Sequence, residues 1–286
     1  MNWKKGVGVV IAIAIIAFIF YSVINSNTEE ETITVQIAKV SQETIKETLS
    51  TNGLIESTQT QTIFGQGLIQ DVPVSVGDSI EEGATLISYR DGTNQTADFN
   101  GTVTTVNAKN GQVDLSSQNG EPAIAIADLS NLQVTINLSE SDAPLIEEGQ
   151  VAVLTTGDQS FDGTVSHIDP TASTVTSQTS TSMVLKSIIS FDTPPEGLFA
   201  GFNIDVDVTT NTAENVLAIP IEALLYDVDN NPYVYVVENE KALTTPIETG
   251  IQSATNVEVT DGLTLDDTII LSPDDTISDG TKVTSE

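Results

Sequence analysis

After the first 25 residues, no stretch of this chain carries the 3.6-residue apolar period of a long helix. Short runs alternate apolar with polar side chains and end in glycine, proline, asparagine or aspartate. Alternation with a period of two sends successive side chains to opposite faces of a strand, and the residues between runs are those that tight turns require. Ile33 to Val40 (I-T-V-Q-I-A-K-V) is one such run, and the threonine-rich stretch from Thr44 through Gly53 to Ile63 is another. A chain written this way folds into sheets, and 286 residues suffice for one to three domains with their own cores. It contains no cysteine, so those cores form without disulfides, and thiolate metal sites and cysteine nucleophiles are excluded.

The exception to the strand pattern lies at the N-terminus, where Gly6 to Ile24 (GVGVVIAIAIIAFIFYSVI) runs without a charge. At about 1.5 Å per residue a helix of this length spans about 28 Å, close to the hydrocarbon thickness of a bilayer. Lys4 and Lys5 precede it, and Glu29, Glu30 and Glu31 come after. The positive-inside rule then predicts a cytoplasmic N-terminus, with the chain from about residue 25 outside the cell membrane. Trp3 and Tyr21 stand near the two ends, where interfacial aromatics are expected. The competing cleaved signal peptide would have an unusually long apolar region, and Ile24-Asn25-Ser26 is a poor cleavage site. Gly6, Val10, Ile15, Phe18, Phe20 and Ile24 therefore mark the expected single-pass anchor.

The charge excludes one class of partner. The net charge is −32, from nine Lys and Arg against 41 Asp and Glu, and two of the nine are Lys4 and Lys5. Nucleic-acid binding requires basic side chains to neutralise phosphates, and the body of this chain has too few. Strong negative charge outside a cell keeps a protein soluble.

Catalytic and metal-binding readings find little support. His167 is the lone histidine and falls in the alternating run Val165-Ser166-His167-Ile168, so it reads as a strand residue. One histidine and no cysteine assemble neither a Ser-His-Asp nor a zinc arrangement. Asp227-Val228-Asp229-Asn230-Asn231, with Glu238 beyond, has partial EF-hand spacing. Pro232 stands where that loop needs glycine, however, so a hairpin turn is expected. The acidic doublets Glu81-Glu82, Glu147-Glu148 and Asp274-Asp275 sit in turn-like contexts. The polar segment Ala172 to Ser182 reads as a mobile loop.

Residues 62 to 128 hold a near-repeat. Ile69-Gln70-Asp71-Val72-Pro73-Val74-Ser75-Val76-Gly77-Asp78-Ser79-Ile80-Glu81-Glu82-Gly83-Ala84-Thr85-Leu86 is followed by Gly101-Thr102-Val103 to Val106, Gly111-Gln112-Val113, Gly120 and Ala123-Ile124-Ala125-Ile126. Each half is a strand, a glycine turn, a short Val/Ile strand, a second glycine and a closing apolar strand, and two such halves face to face make a small sandwich. The pattern V-x-V-G-D-x-I-x-x-G-x-x-L with G-x-V-x-x-V resembles the two half-motifs of a lipoyl-type domain. A lipoyl or biotinyl carrier needs a lysine at the join, which here reads Ser88-Tyr89-Arg90-Asp91-Gly92-Thr93. No cofactor is therefore expected.

Beyond the repeat come, in order, Leu129 to Ile136, Ser139 to Asp142, Ile146 to Val153, Phe161 to Pro170, Leu198 to Val206, Asn215 to Leu224, Tyr233 to Val237 and Val257 to Leu263. Over roughly residues 33 to 283 this succession resembles the membrane fusion proteins, the periplasmic adaptor subunits of efflux and secretion pumps (hemolysin-secretion type), in a short form. Leu198 to Val206 looks like the return strand of the family's barrel. The resemblance implies an all-β, multi-domain fold after one transmembrane helix. Residues 1–24 would be the cytoplasmic start and anchor, and 25–58 plus 213–286 a membrane-proximal β domain. Residues 59–130 would be the lipoyl-like domain and 131–212 the β-barrel. Ser139 to Glu148, with Pro144 near its first turn, is the one short helix expected.

The resemblance also implies a chain that is not an enzyme. Its partner would be an integral-membrane transporter permease with its ATPase, and oligomers around that transporter fit the reading. Many such adaptors insert a long helical hairpin between the lipoyl halves; here only about a dozen residues separate Leu86 from Gly101, too few for it. In its place the turn Tyr89, Arg90, Asp91 and Gly92 is the candidate contact with substrate or another subunit. The alternative is a surface-exposed binding or structural protein that uses the same β modules without a transporter.

Overall fold

The computed structural model describes residues 32–176 and 181–285. The expected anchor, with Gly6, Val10, Ile15, Phe18, Phe20 and Ile24, lies outside the described residues. Among the described residues no helix is long and apolar enough to cross a membrane. The chain is mostly strand, and it divides into two compact units. One is Lys46–Thr212; the other combines Met1–Ile45, described from residue 32, with Ala213–Glu286.

The unit Lys46–Thr212 holds two cores. In the first, two four-stranded sheets face each other. One has the order Val113–Asp114, Gly67–Asp71, Thr85–Tyr89, Asn94–Thr96, and the other Thr60–Ile63, Ile124–Ala127, Gly101–Val106, Ser79–Ile80. Alternating Leu86, Val103, Ile124 and Ile126, each at most 1% exposed, fill the space between them with Ile63 and Ile69. The matching turn glycines of the two halves, Gly77 and Gly111, have φ of 93° and 77°, a region closed to most side chains.

The second core fills a closed barrel. Its strands, in order around the wall, are Val151–Thr156, Gln159–Ile168, Thr181–Phe191, Leu132–Leu138, the part of Ser41–Ser57 within this unit, and the part of Asn203–Pro220 within this unit. The last returns to the first through the pairs Ala152 with Val208 and Leu154 with Val206. Val134, Ile136, Leu138, Leu154, Ile189 and Val206 point inward. Gly53 belongs among them, because a Cβ there would overlap Val134 and press on Val206 and Ile136 at 3.1 and 3.2 Å. Closure leaves the barrel without edge strands, which removes the usual route to edge-to-edge aggregation.

The other unit is built on two further cores. A five-stranded sheet contains Leu225–Tyr226, Pro232–Glu238, Thr268–Ile270 and Ile37–Lys39 in order, with Lys241–Pro246 along Pro232–Glu238. Glu248–Gln252, Asn256–Asp261 and Leu217–Pro220 pair antiparallel, and Ile33–Val35 lies parallel to Val283–Ser285. Val40, Ile219, Val234, Val257 and Ile269 fill one core, and Val35, Tyr235, Ile270 and Ile277 the other.

Three sequence expectations shift. The division of the first long strand falls at Ile45, not at residue 58, because Ile55 is buried in the barrel core and Leu132 to Ile136 pair with Ser57 to Gly53. The expected helix at Ser139 to Glu148 is one 3-10 turn, Ala143–Leu145, which contains Pro144 and ends where Ile146 is already extended. The segment expected as a loop forms a hairpin ladder, Ser173–Thr176 on Thr181–Val184, its alternating Thr, Val and Met suiting a strand.

Candidate interaction site

The strand Thr85–Tyr89 leads into a tight turn over Tyr89 to Thr93. The turn closes through Tyr89 N–H to Thr93 O at 2.8 Å and Gly92 N–H to Tyr89 O at 3.0 Å, with Gly92 at φ 93°. Asp91 Oδ1 accepts the Thr93 N–H at 2.9 Å, and this hydrogen bond holds the Asp91 carboxyl below the usual carboxylate range. Arg90, Asp91 and Gly92 are exposed at the tip, one cation beside one anion. Tyr89 is different. Its side chain is 3% exposed and points into the sandwich core, so of the four expected contact residues it supports the turn from beneath.

Beneath the turn lies a polar knot that the sequence did not announce. Tyr89 Oη donates to Asp114 Oδ2 at 2.6 Å, and Ser116 N–H donates to Asp114 Oδ1 at 2.9 Å. The Gly65 N–H donates to Ser116 Oγ at 2.8 Å. Burial pushes the Tyr89 hydroxyl above its ordinary range, and the Asp114 hydrogen bond and charge push it further. Burial also raises Asp114, but hydrogen bonds from Tyr89 and Ser116 outweigh it, and the carboxyl is held below its ordinary range. A Cβ at Gly65 would overlap both Tyr89 Oη and Asp114 Oδ2. The only signal in the sequence is the pair of glycines in Gly65-Gln66-Gly67, since Asp114 is far from Tyr89 along the chain.

The other singled-out residues resolve into structure. His167 lies on the strand Gln159–Ile168, half exposed, with Nδ1 3.4 Å from Glu148 Oε1 and Nε2 3.6 Å from Asp169 Oδ1. Its two nitrogens face different carboxylates, so no single metal could use this trio. Asp227 caps its own hairpin turn: Oδ1 accepts the N–H of Asp229 and of Asn231 at 2.9 and 2.8 Å, and Oδ2 accepts Asn231 Nδ2 at 2.9 Å. Those bonds hold its carboxyl below the ordinary range, Asn231 foremost. Leu198 to Phe202, read in the sequence as the start of a strand, are instead a turn with Gly201 at φ 94°; the strand begins at Asn203. Phe199 and Phe202 stand 67% and 65% exposed there, edge to face at 6.2 Å.

The described residues thus make a sandwich, a closed barrel and a sheet unit that receives both ends of the described chain. Residues 216–285 match the family model of the YknX C-terminal permuted SH3-like domain. The macrolide export protein MacA of Escherichia coli O157:H7 is 27% identical over 199 residues, covering 68% of this chain and 51% of MacA. YknX of Bacillus subtilis (strain 168) is 29% identical over 197 residues, covering 66% of this chain and 51% of YknX. The chain thus spans about half the length of the curated relatives it matches. The crystal structure of MacA from Actinobacillus actinomycetemcomitans shares the fold, with a TM-score of 0.68 at 18% identity, over 82% of this chain and 99% of that one. The chain is similar to membrane fusion proteins, the periplasmic adaptors of efflux systems, in sequence over about two thirds of its length and in fold.

Proposed function

We propose that this chain is the non-catalytic, membrane-anchored adaptor of an export complex, serving an integral-membrane permease driven by an ATPase. The similarity to MacA and YknX over two thirds of the chain carries the reading. In this reading Gly6 to Ile24 hold the chain in the cell membrane with its N-terminus in the cytoplasm and its β domains outside. The residues up to Ile45 and after Thr212 act next to the membrane. The short Arg90–Gly92 tip replaces a helical hairpin, which suits a chain that meets its partners at close range. Several copies gather around one transporter.

Crosslinking in intact cells, followed by purification of the full-length chain, tests this. A permease and its ATPase are expected to accompany it, and to be lost when Gly6 to Ile24 are replaced by an unrelated anchor or when 213–286 are deleted. Recovery of wall material or soluble ligands alone, with no transporter at any crosslinker dose, would replace the adaptor by a surface-exposed binding protein.

A further inference from the structure

Two shallow clefts in the C-terminal unit adjoin along Asp227, Asn231, Pro232 and Pro246. The first is floored by Tyr233 and Tyr235, whose rings meet edge to face at 5.7 Å. They share one face of the strand Pro232–Glu238, and register sets Pro246 opposite Tyr233 and Thr244 opposite Tyr235. Tyr235 is held from behind by its hydroxyl on Ile277 O at 3.2 Å, while Tyr233 is half-buried and open toward the cleft. The second cleft ends at Glu248 and Asp261, which stand directly opposite each other on neighbouring strands. Both are exposed.

Like charges directly opposite across a ladder are destabilising. Among the described residues, the only carboxylates within 4 Å of a basic side chain are those beside His167, so neither Glu248 nor Asp261 is neutralised from within. The surface is thus a rigid aromatic and proline floor that runs into an uncompensated pair of carboxylates. Aromatic grooves receive extended segments in the polyproline II conformation, whose rings are preset at low entropic cost. A guanidinium or ammonium placed between two carboxylates forms strong charge-assisted hydrogen bonds and relieves their repulsion. The same pair rejects an acidic segment.

We propose that this groove docks an extended, proline-bearing segment with a flanking arginine or lysine, contributed by the extracytoplasmic part of the transporter; the identity of that source rests on the adaptor reading above. The probe is a fluorescein-labelled peptide of five prolines followed by two arginines, titrated by anisotropy at low salt into the full-length chain in detergent. Saturable binding is expected, weakened about tenfold or more by Tyr233→Ala and by the double variant Glu248→Gln with Asp261→Asn. A peptide with glutamates in place of the arginines should not bind. The double variant removes no packing, so an unchanged melting temperature keeps it informative if Tyr233→Ala fails to fold. Absence of saturable binding up to about 1 mM, or equal affinity for the double variant, overturns the groove. In crosslinked cells, full recovery of the permease with the double variant also overturns it while leaving the adaptor standing. Loss of permease on that substitution supports it, and no permease with the unsubstituted chain removes the adaptor reading and this occupant together.

Discussion

Tyr89 and Asp114 hold each other in fixed protonation states, and this sets the sign of the pH dependence. Asp114 has a folded pKa below its unfolded value, so its contribution is present above the ordinary carboxylate pKa of about 3.9 and is lost as pH falls through the folded pKa. Tyr89 has a folded pKa above its unfolded value, so its contribution is present below about 10 and is lost as pH rises beyond that. The sandwich is therefore expected to be sturdiest between these limits. Tyr89→Phe keeps the ring in the core but leaves the buried carboxylate short of one donor, at a cost of about 1–3 kcal/mol. Urea unfolding of the full-length variant at pH 7 should show that loss, and the gap to the parent chain should narrow below about pH 4 as the carboxylate protonates. A variant as stable as the parent at pH 7 would mean that the hydrogen bond contributes nothing.

At the level of elements, legibility depended on how far apart the partners lie. The half-motifs around Gly77 and Gly111 could be read because each is a local pattern whose glycines must take positive φ. Val134, Ile136 and Leu138 alternate with polar residues, and all three fill the barrel core. Alternation does not name a strand's neighbours, however. So the residues around Ile55 carry no sign in sequence of the barrel strand they pair with, and Ala172 to Ser182 read as a loop although Ser173 to Thr176 pair with Thr181 to Val184. Tyr89 shows the same gap within a candidate site: next to Arg90 in sequence, it faces the opposite way, and its partner Asp114 arrives from another strand. The groove at Tyr233 was invisible for this reason too, since it exists only once Pro246 and Asp261 fold against it. Asp227 was legible as a turn former because its acceptors are used within four residues.

Across the whole molecule, charge outweighs every other surface property. The chain carries 41 acids, and among the described residues no lysine or arginine pairs with any of them within 4 Å. Repulsion spread over the surface destabilises the compact state and is screened by salt. The melting temperature should therefore rise by about 2–4 °C or more between roughly 0.05 and 1 M sodium chloride. A flat or falling curve would show that the charges are too dispersed to matter. The closed barrel has a consequence in time as well. Its seam joins Ile55 to Phe202 and Ala152 to Val208, whereas the sandwich is made wholly from the strands Thr60–Ile63 through Ile124–Ala127. A chain synthesised from its N-terminus holds the first stave of the barrel long before the last one exists, and long-range closure is slow even then. Pulse-labelled amide exchange during refolding should protect Ile124 to Ala127 before Ile55; simultaneous protection would show that the seam is no bottleneck. In the interval the unfinished wall presents a sticky strand edge, so the hazard for this protein lies in its making more than in its finished form.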